Sequence, residues 1–315
     1  MKVFDVSETK QQSVAVLLPC YNEEVTIAQL VADFKEALPG ADIYVYDNAS
    51  SDKTAERAKE AGAIVRHERR RGKGNVIRRM FSDIDADVYV MADGDGTYAA
   101  KDAPALIEQL NDHSLAMVVG RRANITEDAG RKGHALGNRV FNATFRWMFE
   151  PGFSDIFSGY RVFSRRFVKS FPALSAGFET ETEISVHALT LKLPVEEQEV
   201  SYSTRPEGSE SKLSTFKDGL RILKSFFILM KEVRPLQFFS ILGGISLLFS
   251  LYFGLPVVFE YFTTGIVTLI PRWIACIGML VLALMMFVCG IILDSIARFR
   301  TEQKLIAYLA TAKSS

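Results

Sequence analysis

Val88-Tyr89-Val90-Met91-Ala92-Asp93-Gly94-Asp95-Gly96-Thr97 sets an apolar run directly against a turn built from acids and glycines. A short run of strand-forming residues without polar alternation predicts a strand covered on both faces, as in the middle of a parallel sheet. Its acids then stand at the carboxyl end of the strand, where open α/β sheets hold their ligands. Spacing alone proves little, because 16 Asp in the chain give an Asp-x-Asp about once by chance. Asp83-Ile84-Asp85 and Asp85-Ala86-Asp87 fit the same pattern. Those pairs close a helical stretch and read as solvated, whereas Asp93 and Asp95 follow a buried strand and have small neighbours that leave room. Two adjacent carboxylates repel unless a cation joins them. Hard oxygen ligands of this kind suit Mg²⁺ or Mn²⁺, which share phosphate oxygens with a substrate.

Working outward, further strand-like runs occupy 14–18, 42–46, 63–66 and 115–119, with helical stretches near 24–37, 52–61, 73–82 and 102–111. This alternation predicts an α/β fold, a mainly parallel sheet with crossover helices. The first strand runs into Pro19-Cys20-Tyr21-Asn22-Glu23-Glu24, where Asn22 is expected to cap the next helix. No dinucleotide-binding glycine fingerprint is present there, which argues against a nicotinamide or flavin dehydrogenase. The second ends in Tyr46-Asp47-Asn48-Ala49-Ser50-Ser51-Asp52. Asp47 can accept hydrogen bonds from a nucleobase or ribose, and Ser50 or Ser51 with Asp52 is expected to cap the following helix. Arg69-Arg70-Arg71-Gly72-Lys73-Gly74-Asn75 is a cationic loop opening a helix, suited either to solvent or to a phosphate at the helix N-terminus.

With 48% hydrophobic residues, 10 Pro and 21 Gly, the chain is neither collagen-like, low-complexity nor a disulfide framework. Acidic and basic residues balance at 37 each, but residues 1–204 hold 25 basic against 30 acidic and 205–315 hold 12 against 7. A nucleic-acid partner is disfavoured, since no domain is strongly basic. Cys20, Cys276 and Cys289 fit a reducing compartment and no metal site. The first ten residues lack the apolar centre of a secretory signal, so the catalytic domain is expected in the cytoplasm.

Two tracts, 235–259 and 273–293, carry no charge and are long enough to span a bilayer. Lys224, Lys231 and Arg234 precede the first, and Arg298, Arg300 and Lys304 follow the second, which predicts that both ends of the hairpin face the cytoplasm. Upstream, Phe216, Leu220, Leu223 and Phe227 form an apolar stripe beside Lys217, Arg221 and Lys224. That pattern reads as an interfacial helix, although packing on a soluble domain would produce it too. The expected organisation is a catalytic domain 1–212, an interfacial helix 213–232, a two-helix hairpin 233–296 and a tail 297–315.

In order and spacing, Leu18-Pro19-Cys20-Tyr21-Asn22-Glu23, Asp47-Asn48-Ala49-Ser50-Ser51-Asp52, Arg71-Gly72-Lys73-Gly74-Asn75 and Asp93-Gly94-Asp95 resemble inverting family 2 glycosyltransferases of the GT-A fold. Asp155-Ile156-Phe157-Ser158-Gly159-Tyr160-Arg161, then Tyr202, Arg205, Gly208 and Ser211-Lys212, then the hairpin, look like the polyprenyl-phosphate and dolichyl-phosphate members. The resemblance implies a Rossmann-like, mixed but mainly parallel sheet with flanking helices. It also implies that Pro19, Tyr21, Asn22, Glu23 and Asp47 hold the nucleotide and that Lys73 approaches base or phosphates. Asp93, Gly94 and Asp95 would take the metal-diphosphate, with Asp93 and Asp95 ligating Mg²⁺ or Mn²⁺, and Arg205 and Lys212 would close over phosphate. Arg121, Arg131, Ser158 and Arg161 would receive the lipid phosphate, and Asp95, Asp155 and Arg161 form the implied catalytic set.

The implied reaction moves a sugar from a nucleoside diphosphate sugar, a UDP-sugar before a GDP-sugar, to a polyprenyl phosphate with inversion. The implied place is the cell inner membrane, as a multi-pass protein with a cytoplasmic catalytic domain; a homo-oligomer is left open. The alternative is a membrane-anchored enzyme acting on a glycan or protein hydroxyl with Asp155 as general base. Asn48 in place of a second Asp, Gly94 and Thr97 in the metal motif, and Glu207 and Glu210 around Ser211-Lys212 depart from the family pattern. These departures bear on the identity of sugar and base.

Overall fold

The computed structural model describes residues 12–122, 153–175, 177, 179–203, 227–228 and 230–312. Two compact units divide the chain: residues 1–219 with 304–315, and residues 220–303.

In the first unit, seven strands form one sheet: β1 (Val14–Cys20), β2 (Asp42–Asp47), β3 (Ile64–His67), β4 (Val88–Met91), β5 (Met117–Arg122), β6 (Arg161–Ser164) and β7 (Val195–Val200). Their order is β3-β2-β1-β4-β6-β5-β7. The strands β3, β2, β1 and β4 run parallel, β6 is antiparallel to both neighbours, and β7 is parallel to β5. The mixed, mainly parallel sheet expected from the sequence is therefore present. β1 and β4 are apolar without alternation because helices cover both faces. β7 reads Val-Glu-Glu-Gln-Glu-Val, and its charges suit an edge strand that must not pair with another chain.

Among the described residues, six α-helices flank the sheet: α1 (Ile27–Ala37), α2 (Thr54–Glu60), α3 (Lys73–Asp83), α4 (Ala103–Asp112), α5 (Arg165–Ser170) and α6 (Thr180–Thr190). On one face Leu30, Val31 and Phe34 of α1 and Leu106 and Leu110 of α4 pack with Val16, Leu18, Val90 and Val162. On the other the side chain of Phe81 from α3 meets Tyr89, Phe163 and Phe171 edge-on at ring separations of 5.7–6.2 Å. These two layers fix the sheet, and the sheet fixes the loops beyond its edge.

The direction of β6 matters most for the site. Because it runs antiparallel to β4, with Met91 opposite Arg161, the residues before β6 stand at the same edge as the residues after β4. The described residues that follow β1, β2, β3, β4 and β7, and those that precede β6, lie at that edge.

In the second unit, α7 (Pro235–Thr264) and α8 (Ile270–Ala310, whose last residues belong to the first unit) are both long and apolar enough to cross a membrane. Most of their large apolar side chains are exposed, which sets them apart from the core helices of a soluble protein. Small residues line their contact: Ser250 Oγ donates to the Cys276 carbonyl at 2.9 Å, and a Cβ on Gly243 would press on the ring of Phe287. Gly265, at φ 72°, ends α7, and the Glu260 carboxylate accepts from the Thr268 and Leu269 amides at the entry to α8.

Candidate active site

The β1 and β2 turns are sewn together. Asn22, at φ 54°, donates its amide to Ser50 Oγ at 2.9 Å and accepts from the Ser51 amide at 2.8 Å. This corrects the expected capping role: α1 begins only at Ile27, with Thr26 at its N-cap position, and the Asn22 oxygen is spent on the neighbouring turn. Asp52 serves α2, accepting from the Thr54 amide at 3.0 Å, while Ser50 and Ser51 are engaged with Asn22. Asp47 is buried, accepts from the Ser50 amide at 3.3 Å and lies 3.3 Å from His67 Nδ1. Pro19 pairs across the sheet with Tyr46, and Glu23 is buried with its amide on Thr54 Oγ1. The Arg71 guanidinium covers the Tyr21 ring at 5.4 Å. Together these bonds tie the β1 and β2 turns to each other at the end where Asp47 lies.

Asn48 explains the shape of the cationic loop. Its side-chain amide donates to the carbonyls of Glu68 and Arg70 at 3.0 and 2.8 Å, and its oxygen accepts from the Gly72 amide at 2.7 Å. Gly72 has φ 122°, a conformation L side chains rarely adopt, and the chain then enters α3 at Lys73. The Lys73 ammonium pairs with both Asp93 and Glu181. Burial alone would pull that ammonium down; the two carboxylates outweigh it and hold it above the ordinary lysine range.

Asp93 is 31% exposed and rests on Gly159, where a Cβ would collide with the carboxylate. Gly94 passes so close to Cys20 that it too has no room for a Cβ, and its carbonyl accepts from Thr26 Oγ1 at 2.7 Å. Asp95 is buried and its Oδ1 accepts from the Thr97 amide and hydroxyl at 3.1 and 2.7 Å. Thr97, a departure from the family pattern, thus shapes the acidic turn. The site suits a divalent ion: Asp93 already holds a cation, the Lys73 ammonium, and a second hard carboxylate stands two residues on. Among the described residues no three His, Cys, Asp or Glu side chains cluster as a metal site. An ion here would take one or two protein oxygens and complete its shell from substrate phosphate and water, as Mg²⁺ does.

At the β5 and β6 ends, the structure redistributes the expected roles. Arg161 is fully buried, with Nε donating to the Ser158 carbonyl at 2.9 Å, Nη2 to the Ile156 carbonyl at 2.6 Å and Nη1 to Ser185 Oγ at 3.0 Å. Ser158 is buried as well, its hydroxyl on the Gly120 carbonyl at 2.6 Å. Both brace the 155–160 segment from inside, which differs from the direct phosphate contact the resemblance implies. Arg121 points to the surface and pairs with Glu199 at 2.7 Å. Its neighbour Arg122, absent from the sequence-derived set, grips buried Asp155 with two bonds of 2.8 Å and lies over the Tyr202 ring at 5.4 Å. Asp155 raises the Arg122 guanidinium against the opposing effect of burial. Tyr98 closes the cluster, accepting from the Gly159 amide at 3.0 Å, with its own hydroxyl pushed up to about 12 by burial. Arg131, Arg205 and Lys212 lie outside the described residues, as does most of 213–232.

Residues 15–171 match the model of glycosyl transferase family 2. The chain is 32% identical over 293 residues to glycosyltransferase AglJ of Haloferax volcanii, covering 92% of this chain and 96% of that one. It is 27% identical over 248 residues to a dolichol-phosphate mannosyltransferase of Pyrococcus furiosus, covering 73% and 68%. Among solved structures, glucosyl-3-phosphoglycerate synthase from Mycobacterium tuberculosis, in complex with Mn²⁺, UDP-glucose and phosphoglyceric acid, superposes with a TM-score of 0.54 at 21% identity over 70% of this chain and 79% of that one. That likeness is one of fold.

Proposed function

Because the chain belongs to glycosyl transferase family 2, we propose that it moves a hexose from a nucleoside diphosphate sugar to a polyprenyl phosphate, with inversion and with help from Mg²⁺ or Mn²⁺. The observation that carries this reading is the presence, in one chain, of the Asp47–Lys73–Asp93 edge and two helices able to cross a bilayer. A relative named for dolichol phosphate supports the lipid acceptor, and a fold neighbour holding UDP-glucose with Mn²⁺ supports a UDP-sugar donor and a metal. The catalytic domain, residues 1–212, would face the cytoplasm. The helix 213–232 would lie at the interface, and the hairpin 233–296 would anchor the enzyme in the inner membrane, with a tail 297–315.

In this reading the nucleotide rests between Tyr21 and Asp47, on a floor of Pro19, Asn22 and Glu23. Asp93 and Asp95 hold the metal, which when bound offsets charge growing on the departing diphosphate. Lys73 adds a cation at the N-terminus of α3, and Arg205 and Lys212 close over phosphate. The acceptor phosphate is an anion at neutral pH, so it needs positioning and charge shielding more than a strong base. Arg121 and Arg131 supply guanidinium contacts for it, with Ser158 and Arg161 holding the adjoining loop. Asp155, which a hydroxyl acceptor would require as base, has both oxygens in the fork of Arg122, and this favours the phosphate acceptor.

The test supplies purified full-length protein with radiolabelled UDP- or GDP-hexoses and either polyprenyl phosphate or an oligosaccharide, and reads the lipid extract. Label in the lipid is expected, abolished by Asp93→Asn. Label confined to the oligosaccharide overturns the lipid acceptor, and label from neither donor overturns the donor class.

A further inference from the structure

The Lys73 ammonium stands between two carboxylates of different kinds. Asp93 belongs to the acidic turn after β4 and is 31% exposed, whereas Glu181 is the second residue of α6 and its side chain is 6% exposed. The backbone at Glu181 is tied into the core. Its backbone carbonyl accepts from Ser185 Oγ at 3.0 Å, and Ser185 in turn receives Arg161 Nη1 at 3.0 Å. The α3 and α6 starts are pressed together, since a Cβ on Gly74 would overlap the Ser175 carbonyl and Thr180 Oγ1. Lys73 therefore has a fixed partner at its back and a solvent-facing one in front. The second oxygen of Glu181, Oε2, is buried and has no hydrogen-bond partner among the described residues.

A buried carboxylate left with a vacant oxygen is costly unless a donor reaches it in another state of the protein. We infer that Glu181 is a positioning residue that receives the Lys73 ammonium when a divalent ion takes Asp93, so that lysine and metal exchange on one carboxylate. Glu181 makes the exchange inexpensive. Without it, an ammonium displaced from Asp93 would stay buried as an uncompensated charge, which is strongly unfavourable. With it, the ammonium keeps one carboxylate throughout and offers its freed donors to Glu181 Oε2 and to an incoming diphosphate. The enzyme thus carries its own counter-ion for the acidic turn before the donor arrives.

This inference rests on the metal role proposed for Asp93, and its test omits nucleotide sugar and lipid so that the two stand or fall separately. Mn²⁺ alone is titrated into the full-length protein in detergent, with bound ion read by electron paramagnetic resonance. Glu181→Gln is expected to weaken Mn²⁺ binding about tenfold, and Lys73→Met to tighten it by a similar factor. In the Lys73→Met background, Glu181→Gln should then have no effect, because no ammonium remains to compete. A merely structural Glu181 would weaken binding equally in both backgrounds, and that result overturns the inference. If Glu181→Gln does not fold, Lys73→Met decides alone: Mn²⁺ binding no tighter than in the wild type overturns it. Absence of Mn²⁺ binding in every form overturns both the inference and the metal role, whereas failed sugar transfer with the expected Mn²⁺ pattern overturns only the acceptor or donor.

Discussion

Asn48 makes three hydrogen bonds with one side chain, two as donor and one as acceptor, and all three end on the loop that delivers Lys73. An aspartate keeps the acceptor and loses both donors, turning two attractive contacts with carbonyls into repulsive ones. Asn48→Asp is therefore expected to free the 68–72 loop, cost about 2 kcal/mol of stability and raise KM for the nucleotide sugar several-fold more than it lowers kcat. Thermal unfolding and steady-state kinetics check both effects; an unchanged KM would remove Asn48 from the donor site. Sequence pattern picked out Asp47, Lys73, Asp93 and Asp95 because strand ends are where side chains meet ligands. It had no means of finding their partners. Glu181 looks like any acid in a first helical turn, a place acids favour for the helix dipole. Arg121 and Arg122 sit side by side in one strand, and alternation sends them to opposite faces, one to Glu199 and the other to Asp155. Nothing in the pair Arg-Arg says which faces inward.

At the scale of elements, the parallel half of the sheet was legible because each of its strands is a short apolar run punctuated by turn residues. β6 and β7 were not, since Arg161-Val-Phe-Ser and Val-Glu-Glu-Gln-Glu-Val owe their strand form to neighbours and carry buried or edge charges that mask the pattern. Yet β6 is the element that completes the site, for its reversed direction brings Gly159 under Asp93. The glycine there is required by space, with Asp93 Oδ2, Cγ and Oδ1 all standing where a Cβ would go. Gly159→Ala is expected to swing the Asp93 carboxylate off its seat, breaking its pair with Lys73 while leaving the sheet intact. Turnover should fall at least about a hundredfold, as when a positioned charge is lost from a transition-state site, with far-UV circular dichroism unchanged. Retained turnover would show that Asp93 needs no such seat.

At the scale of the whole chain, the last turns of α8 belong to the same compact unit as the sheet. There the Arg166 guanidinium lies 4.3 Å from the Tyr308 ring and donates to the Tyr308 carbonyl at 3.2 Å. Lys304, from the same segment, adds positive charge near His187, a residue of α6 that is 2% exposed, flanked by the Phe167 and Phe171 rings. Burial first, and Lys304 second, push the His187 pKa from 6.5 down to about 3. The folded protein thus keeps this imidazole neutral, its Nε2 lying 3.1 Å from Ser170 Oγ, while the unfolded chain takes up a proton near pH 6.5. Stability from this group is complete above pH 6.5 and is lost as pH falls toward 3, at up to about 1.4 kcal/mol per pH unit. His187→Gln cannot take the proton in either state and removes that slope. The melting temperature of the full-length protein in detergent should therefore drop more steeply from about pH 6.5 to about pH 5 in the wild type than in His187→Gln. Parallel curves for the two proteins would mean that His187 is protonated in the fold after all.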